Sequence, residues 1–162
     1  MFSLLRRNRD IRLVFAAQVV SFLGDWFTFV AIAAMVFDAT GSEFLVAVAY
    51  VSFSLPSFLA SPLAGSLVDR FDRRRLLLVV SAAQAVAALG LLTASTERVW
   101  PLFVFQGLIS SLAAVVKPAI DAGVPNLARS PDELRRANAL FGSMWGVMLA
   151  VGAGIGGMFS QA

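Results

Sequence analysis

Long apolar blocks alternate with short polar segments along the whole chain. The blocks cover residues 11–37, 44–68, 76–94, 99–120 and 137–159. A bilayer core about 30 Å thick requires roughly 20 apolar residues per helix, and the blocks reach or approach that length. Strand patterns are absent and the connections are short, so helices are the only structure that can span lipid here. The pattern predicts an all-α membrane protein with about five transmembrane helices, forming one transmembrane domain over residues 1–162.

The composition supports this interpretation and removes several classes of function. The chain is 59% hydrophobic and 14% charged, whereas soluble domains carry roughly 25% charged residues. The first block is longer than the 7–15 residues of a signal peptide and contains Asp25, so we predict a retained helix. Because the chain has no Cys and no His, thiol nucleophiles, zinc sites and His-based triads are excluded. We predict no enzyme, no metal and no cofactor.

The cations fall almost entirely on one side of the predicted helices. If five helices alternate, 11 arginines share one side and only Arg98 lies on the other; the 11 are Arg6, Arg7, Arg9, Arg12, Arg70, Arg73, Arg74, Arg75, Arg129, Arg135 and Arg136. Short clusters of this kind are typical of membrane orientation, so nucleic acid is not a predicted partner. We predict a multi-pass protein of the plasma (inner) membrane, with the lipid bilayer as partner and a cytoplasmic N-terminus.

The polar segments contain helix-start patterns. Ser130, Pro131 and Glu133 read as an N-cap, a proline at the first helical position and the glutamate of a capping box. Asp72 is likewise positioned to cap the third predicted helix.

Polar residues recur at helical spacing inside three of the apolar blocks, where they mark a face turned away from lipid. The cavity-lining candidates are Gln18, Ser21 and Thr28 in the first block, Ser54 and Ser57 in the second, and Gln106 and Ser110 in the fourth. Several such stripes indicate a shared interior that is partly polar. The alternative is that these side chains join helices by hydrogen bonds, or that the hydroxyls bond their own backbone.

Asp25 differs from the other polar residues because it lies near the middle of the first block. An aspartate at the bilayer centre costs about 2.5–3.5 kcal/mol on insertion scales, so something must compensate. We interpret Asp25 as the proton-coupling candidate, with a static polar partner as the alternative. Lys117, by contrast, is explained by an i,i+4 pair with Asp121.

The connection between the second and third blocks resembles the signature loop of the major facilitator superfamily. Its matching positions are Gly65, Asp69, Arg70, Arg73, Arg74 and Arg75, and Asp72 stands where the family usually has glycine. The resemblance implies that Asp69 helps to lock one conformation through contacts with the C-terminal half of such a transporter.

Two further segments carry the resemblance. Gln106 and Gly107 match the family's fourth-helix motif, although Phe103 occupies its arginine position. The glycine motif of the last block, Gly152, Gly154, Gly156 and Gly157, is similar to the antiporter motif of drug exporters, with alanine in place of its proline. Residues 133–140 resemble the corresponding segment of the macrolide and siderophore exporter branch.

The resemblance implies a proton-coupled exporter of small amphipathic molecules that works by alternating access between two six-helix halves. Residues 1–162 would supply five of the usual twelve helices, so we expect a fragment that needs a C-terminal half or a second chain; the substrate stays open. The alternative is a small membrane scaffold or subunit that oligomerises through the glycine face of the last helix. A membrane-embedded enzyme would have only carboxylates and serines for its chemistry.

Overall fold

The protein is helical over nearly all of the chain that the structure describes. The structure, a computed structural model, describes the backbone of residues 2–159 and the side chains of residues 4–144, 146 and 147. Its helices are α1 (Phe2–Arg7), α2 (Arg9–Thr40), α3 (Glu43–Arg70), α4 (Arg73–Leu91), α5 (Trp100–Leu127) and α6 (Pro131–Phe159). Within the described backbone no strand forms, and one isolated bridge pairs Ser95 with Arg98. The expectation of an all-α membrane protein is confirmed.

Four of these helices are long and apolar enough to cross a bilayer. They are α2, α3, α4 and α5, and each contains an 18-residue stretch with mean hydropathy between 1.5 and 1.9. They are the candidate spans within the described residues, and the fifth predicted span, residues 137–159 of α6, stays a prediction. The protein is therefore a multi-pass membrane protein.

The helix ends differ from the edges of the apolar blocks. Helix α5 continues to Leu127, through residues 121–127 that we expected in a polar loop. Helix α6 begins at Pro131, where the capping pattern rather than the apolar block predicted it. Helix α4 ends at Leu91, three residues before the predicted end, and successive i→i−3 backbone hydrogen bonds at residues 92–94 close it.

The turn between α2 and α3 is fixed by its own chemistry. Gly41 has φ of 62°, a left-handed conformation that glycine adopts without steric cost. Its N–H donates to the Phe37 carbonyl oxygen at 2.7 Å, which closes the C-terminus of α2. Ser42 then accepts a hydrogen bond from the Leu45 N–H and caps α3.

The chain divides into two compact units, residues 31–122 and residues 1–30 with 123–162. The first unit has two apolar clusters along α3 and α5. One cluster joins the C-terminal half of α3 to α4 and α5 around Ala64, Val80 and Val115. The other joins the end of α2 to α3 and α5 around Val36, Ala49 and Leu102. Since Ala49 meets Leu102, and Ala64 meets Val115 further along, α3 and α5 run in the same direction.

In the second unit, helix α1 packs on α6. The rings of Phe15 and Phe141 meet edge to face with centroids 5.9 Å apart, which joins α2 to α6. Leu4, Ile11 and Ala137 are buried nearby in the same unit.

Candidate functional site

The signature loop is a two-residue connection, because α3 ends at Arg70 and α4 begins at Arg73. The Phe71 N–H donates to the Leu67 carbonyl oxygen at 3.1 Å and so closes α3. The Asp72 carboxylate accepts a hydrogen bond from the Arg75 N–H at 2.9 Å and caps α4, as the sequence predicted. Both loop residues have negative φ, −113° and −58°. The turn therefore forms without a glycine at position 72.

The charged side chains of this loop are left without ion-pair partners. None of them forms an ion pair with another described residue, and the set is Asp69, Arg70, Arg73, Arg74 and Arg75. Asp72, Arg74, Arg75 and Leu78 line a shallow, open depression beside it. Gly65 is exposed, and a Cβ built on it would have nothing within 4 Å. The backbone of the loop is therefore fixed by its caps, while its charged side chains and Gly65 make no ion pair or close contact with the described residues.

The polar stripe of α2 also lacks internal partners. Ser21 and Asp25 are exposed, and Gln18 and Thr28 are half-buried. Among the described residues, none of these four side chains has a hydrogen-bond partner. In an apolar environment such groups are stable only beside water or another polar molecule. Within the described residues, the stripe therefore makes no hydrogen bond that joins helices.

Two serines of α3 form hydrogen bonds to the backbone of their own helix. The hydroxyl of Ser54 donates to the Tyr50 carbonyl oxygen at 3.4 Å within its own helix. The hydroxyl of Ser61 donates to the Phe58 carbonyl oxygen at 2.8 Å, which Pro62 leaves without its usual N–H donor. Ser57 is half-buried. Two of these hydroxyls are therefore satisfied by their own backbone.

Gln106 and Ser110 of α5 are buried rather than open, with 3% and 6% of their surface exposed. The Gln106 Nε2 donates to the Ser110 hydroxyl at 3.1 Å. The Gln106 Oε1 is buried and has no hydrogen-bond partner in the described structure. One turn away, the Gln84 Nε2 donates to the Ile109 carbonyl oxygen at 3.3 Å and joins α4 to α5. These residues are polar side chains among the packed helices.

Two other predicted features have simpler outcomes. Lys117 pairs with Asp121 on an exposed face of α5, in the i,i+4 arrangement that the sequence predicted. The glycine motif of the last helix, residues 152, 154, 156 and 157, lies outside the residues whose side chains the structure describes.

Sequence reasoning missed a polar junction centred on Asn8. The Asn8 side chain is fully buried; its Nδ2 donates to the Leu127 carbonyl oxygen at 2.8 Å and to the Glu133 Oε2 at 3.3 Å. Its Oδ1 accepts from the N–H groups of Asp10 and Ile11 and caps α2. An asparagine two residues before the acidic Asp10 is a recognisable N-cap signal in the sequence. Nothing in the sequence indicates its long-range bonds to Leu127 and Glu133.

Glu133 is the second hub of this junction. Its carboxylate accepts a hydrogen bond from the Arg129 N–H at 3.0 Å, and the Ser130 hydroxyl accepts one from the Glu133 N–H at 3.2 Å. The Arg129 N–H, together with the Asn8 side chain, holds the pKa of Glu133 below its usual value. The predicted capping box forms, except that Glu133 reaches back to Arg129 rather than to Ser130.

The described structure is that of a multi-pass helical protein, with a polar stripe in one spanning helix and a short charged loop between two others. A sequence model of the transmembrane secretion effector family, within the major facilitator superfamily, matches residues 2–162. The chain belongs to this family.

A curated relative points to the same superfamily. The chain is 27% identical over 126 residues to the uncharacterized MFS-type transporter YfiS of Bacillus subtilis (strain 168). The match covers 77% of this chain and 30% of the relative, so the chain spans under a third of that protein. No solved structure matches the chain significantly.

Proposed function

We propose that the chain forms N-terminal helices of a transporter that exports small amphipathic molecules by alternating access, with Asp25 as its proton-coupling residue. Membership of a transporter family supports transport in general. The observation that carries the coupling is the position of Asp25. It lies 16 residues after Arg9 and 15 before Thr40, or about 22–24 Å from either end at 1.5 Å per residue.

The surroundings of Asp25 favour a carboxylate that binds and releases protons over one with only a structural role. A static role requires a hydrogen-bond donor or a cation, and the described part of the chain supplies neither. A carboxylate held without a partner at mid-membrane depth is stable only as the neutral acid or beside water. A group that exchanges between those two conditions binds and releases a proton.

The signature loop supplies the second part of the proposal. Its arginines and Asp69 form no ion pair with the residues that the structure describes, and they flank a two-residue turn that is fixed by the Asp72 cap. We infer that they pair with another part of the transporter, either further along the polypeptide or on a second chain, in one of its conformations. The relative's greater length supports such a region.

The arginine distribution supports the orientation that completes this proposal. Eleven arginines on one side of five alternating helices favour a cytoplasmic N-terminus in the plasma (inner) membrane. Export as the direction of transport is supported by the likeness of the glycine motif, residues 152–157, to that of drug exporters.

Asp25→Asn in the full-length transporter tests the proposal. We expect the variant to lose pH-dependent efflux of a fluorescent amphipathic dye from vesicles with an imposed proton gradient, because asparagine carries no exchangeable charge. Asp38→Asn is the matched control, since Asp38 is exposed near the end of the same helix. Undiminished pH-dependent efflux in Asp25→Asn would remove Asp25 from the mechanism.

Less evidence supports the alternative, an oligomerising membrane scaffold. The exposed glycines at positions 142 and 146 would each have nothing within 4 Å of an added Cβ, which permits close helix packing against any neighbour. Family membership favours transport over an oligomerising scaffold.

A further inference from the structure

The first twelve residues carry an excess of positive charge that no ion pair with a described residue neutralises. Arg6, Arg7, Arg9 and Arg12 are all exposed, and none forms an ion pair with a described residue. Asp10 is the single acidic residue in this segment. We call these four side chains the N-terminal arginine surface.

The backbone beneath this surface is held by buried contacts. Between Arg7 and Arg9 lies Asn8, whose fully buried side chain bonds the Leu127 carbonyl and the Glu133 carboxylate. Leu4 is 3% exposed and Ile11 is fully buried, one on each side of Asn8. These contacts fix the backbone that carries the arginines, so that less conformational entropy is lost when they bind a ligand.

The arginines at the start of α6 are different because they already form ion pairs. Arg135 and Arg136 both pair with Asp132, at 2.8 and 2.7 Å. Among the described side chains of residues 4–30 and 123–147, the arginines that form no ion pair are therefore those of the N-terminal surface and Arg129.

The position of this surface along α2 indicates which molecule meets it. Immediately after Arg12, α2 presents exposed apolar side chains, including Leu13 at 54% and Val20 at 70% exposure. In a spanning helix such side chains face lipid tails, and a residue one turn before them lies at the level of the head groups. The guanidinium group is a planar donor that binds phosphate in a bidentate manner.

We propose that the N-terminal arginine surface binds the phosphate head group of an anionic phospholipid. A zwitterionic lipid offers a phosphate too, but its ammonium group is repelled by a segment whose four arginines outnumber its one acidic residue, Asp10. The expected selectivity is thus for lipids with net negative charge. This proposal is independent of substrate and coupling.

Lipid enrichment around the purified protein tests the proposal. The protein is placed in bilayers of phosphatidylcholine with a minor fraction of phosphatidylglycerol, extracted, and its retained lipid quantified by mass spectrometry. We expect Arg7→Gln with Arg9→Gln to lower the enrichment of phosphatidylglycerol about fivefold or more. Arg6→Gln with Arg12→Gln, which removes the other two arginines, repeats the test independently of any folding defect in the first variant.

The matched control is Arg135→Gln with Arg136→Gln, which removes the same charge from the same unit but from arginines already paired with Asp132. We expect this control to retain its phosphatidylglycerol enrichment. An equal fall in the control would show that lipid selectivity follows total charge, and unchanged enrichment in both N-terminal variants would show that no such site exists. Either result overturns the proposal.

Discussion

At the scale of single residues, Gly90 in α4 shows how closely two spanning helices approach. A Cβ built on Gly90 would overlap the ring of Phe105 on α5. Gly24 in α2 is the opposite case, since an added Cβ would have nothing within 4 Å. The two glycines are indistinguishable in the sequence, where both sit inside apolar blocks, and only the packing separates them.

Gly90→Ala should therefore destabilise the protein. Overpacking costs about 1–3 kcal/mol, which outweighs the gain of about 0.5–1 kcal/mol from replacing a helical glycine by alanine. Thermal unfolding in detergent measures the change. Gly24→Ala is the control, and we expect it to be neutral or slightly stabilising. If Phe105→Leu in the Gly90→Ala background restores no stability, the ring is not the cause.

At the scale of elements, the junction of α1 and α2 with α5 and α6 depends on the charge of Glu133. The usual pKa of this carboxyl is near 4.5, and the Arg129 N–H holds it lower in the folded protein. Since the folded form binds the proton less readily than the unfolded form, the stabilisation is present above that usual value. It is lost as the pH falls through the lowered pKa.

Glu133→Gln should consequently lower stability at neutral pH and reduce its loss on acidification. Unfolding temperatures measured between about pH 3 and pH 7 give both effects. Asp132, whose pKa is lowered chiefly by its hydrogen bond with Arg135, keeps part of the acid response in this variant. Ser130→Ala removes a cap without a titratable group, so its curve should shift without changing shape. An unchanged acid response in Glu133→Gln would show that the junction does not depend on this charge.

The same junction shows how far the sequence predicts the elements. The apolar blocks predicted the long helices because lipid requires continuous apolar length. The Ser130 cap predicted the start of α6 because its hydrogen bond is local. Asn8 could not be foreseen as a hub, since its partners lie 119 and 125 residues away.

The end of α5 and the site residues show the same contrast between local features, which the sequence predicts, and long-range packing, which it does not. Residues 121–127 lie beyond the apolar block that ends at residue 120, yet α5 continues through them and Asp121 pairs with Lys117 on the same helix. Spacing predicted one polar stripe each for α2, α3 and α5, but spacing cannot tell an open face from a packed one. Asp25 is exposed and has no partner among the described residues, whereas Gln106 is buried between helices.

At the scale of the whole molecule, the orientation depends on which side of the membrane holds each connection between helices. Helix α4 is the shortest apolar candidate, with 19 residues that rise about 28 Å, just under a bilayer core of about 30 Å. Phe71 precedes it and Thr96 follows it, and both are exposed. If α4 crosses the membrane, these two positions must lie on opposite sides.

The absence of Cys from the chain makes this directly measurable. A membrane-impermeant maleimide applied to intact cells should label Thr96→Cys, which lies near the lone Arg98, because the positive-inside rule places that side outside. Phe71→Cys, among the loop arginines, should react only after permeabilisation, and the Cys-free parent is the control. The reverse pattern would contradict the cytoplasmic N-terminus while preserving the crossing. Labelling of both positions from outside would contradict the crossing itself, because a helix with both ends on one face cannot span.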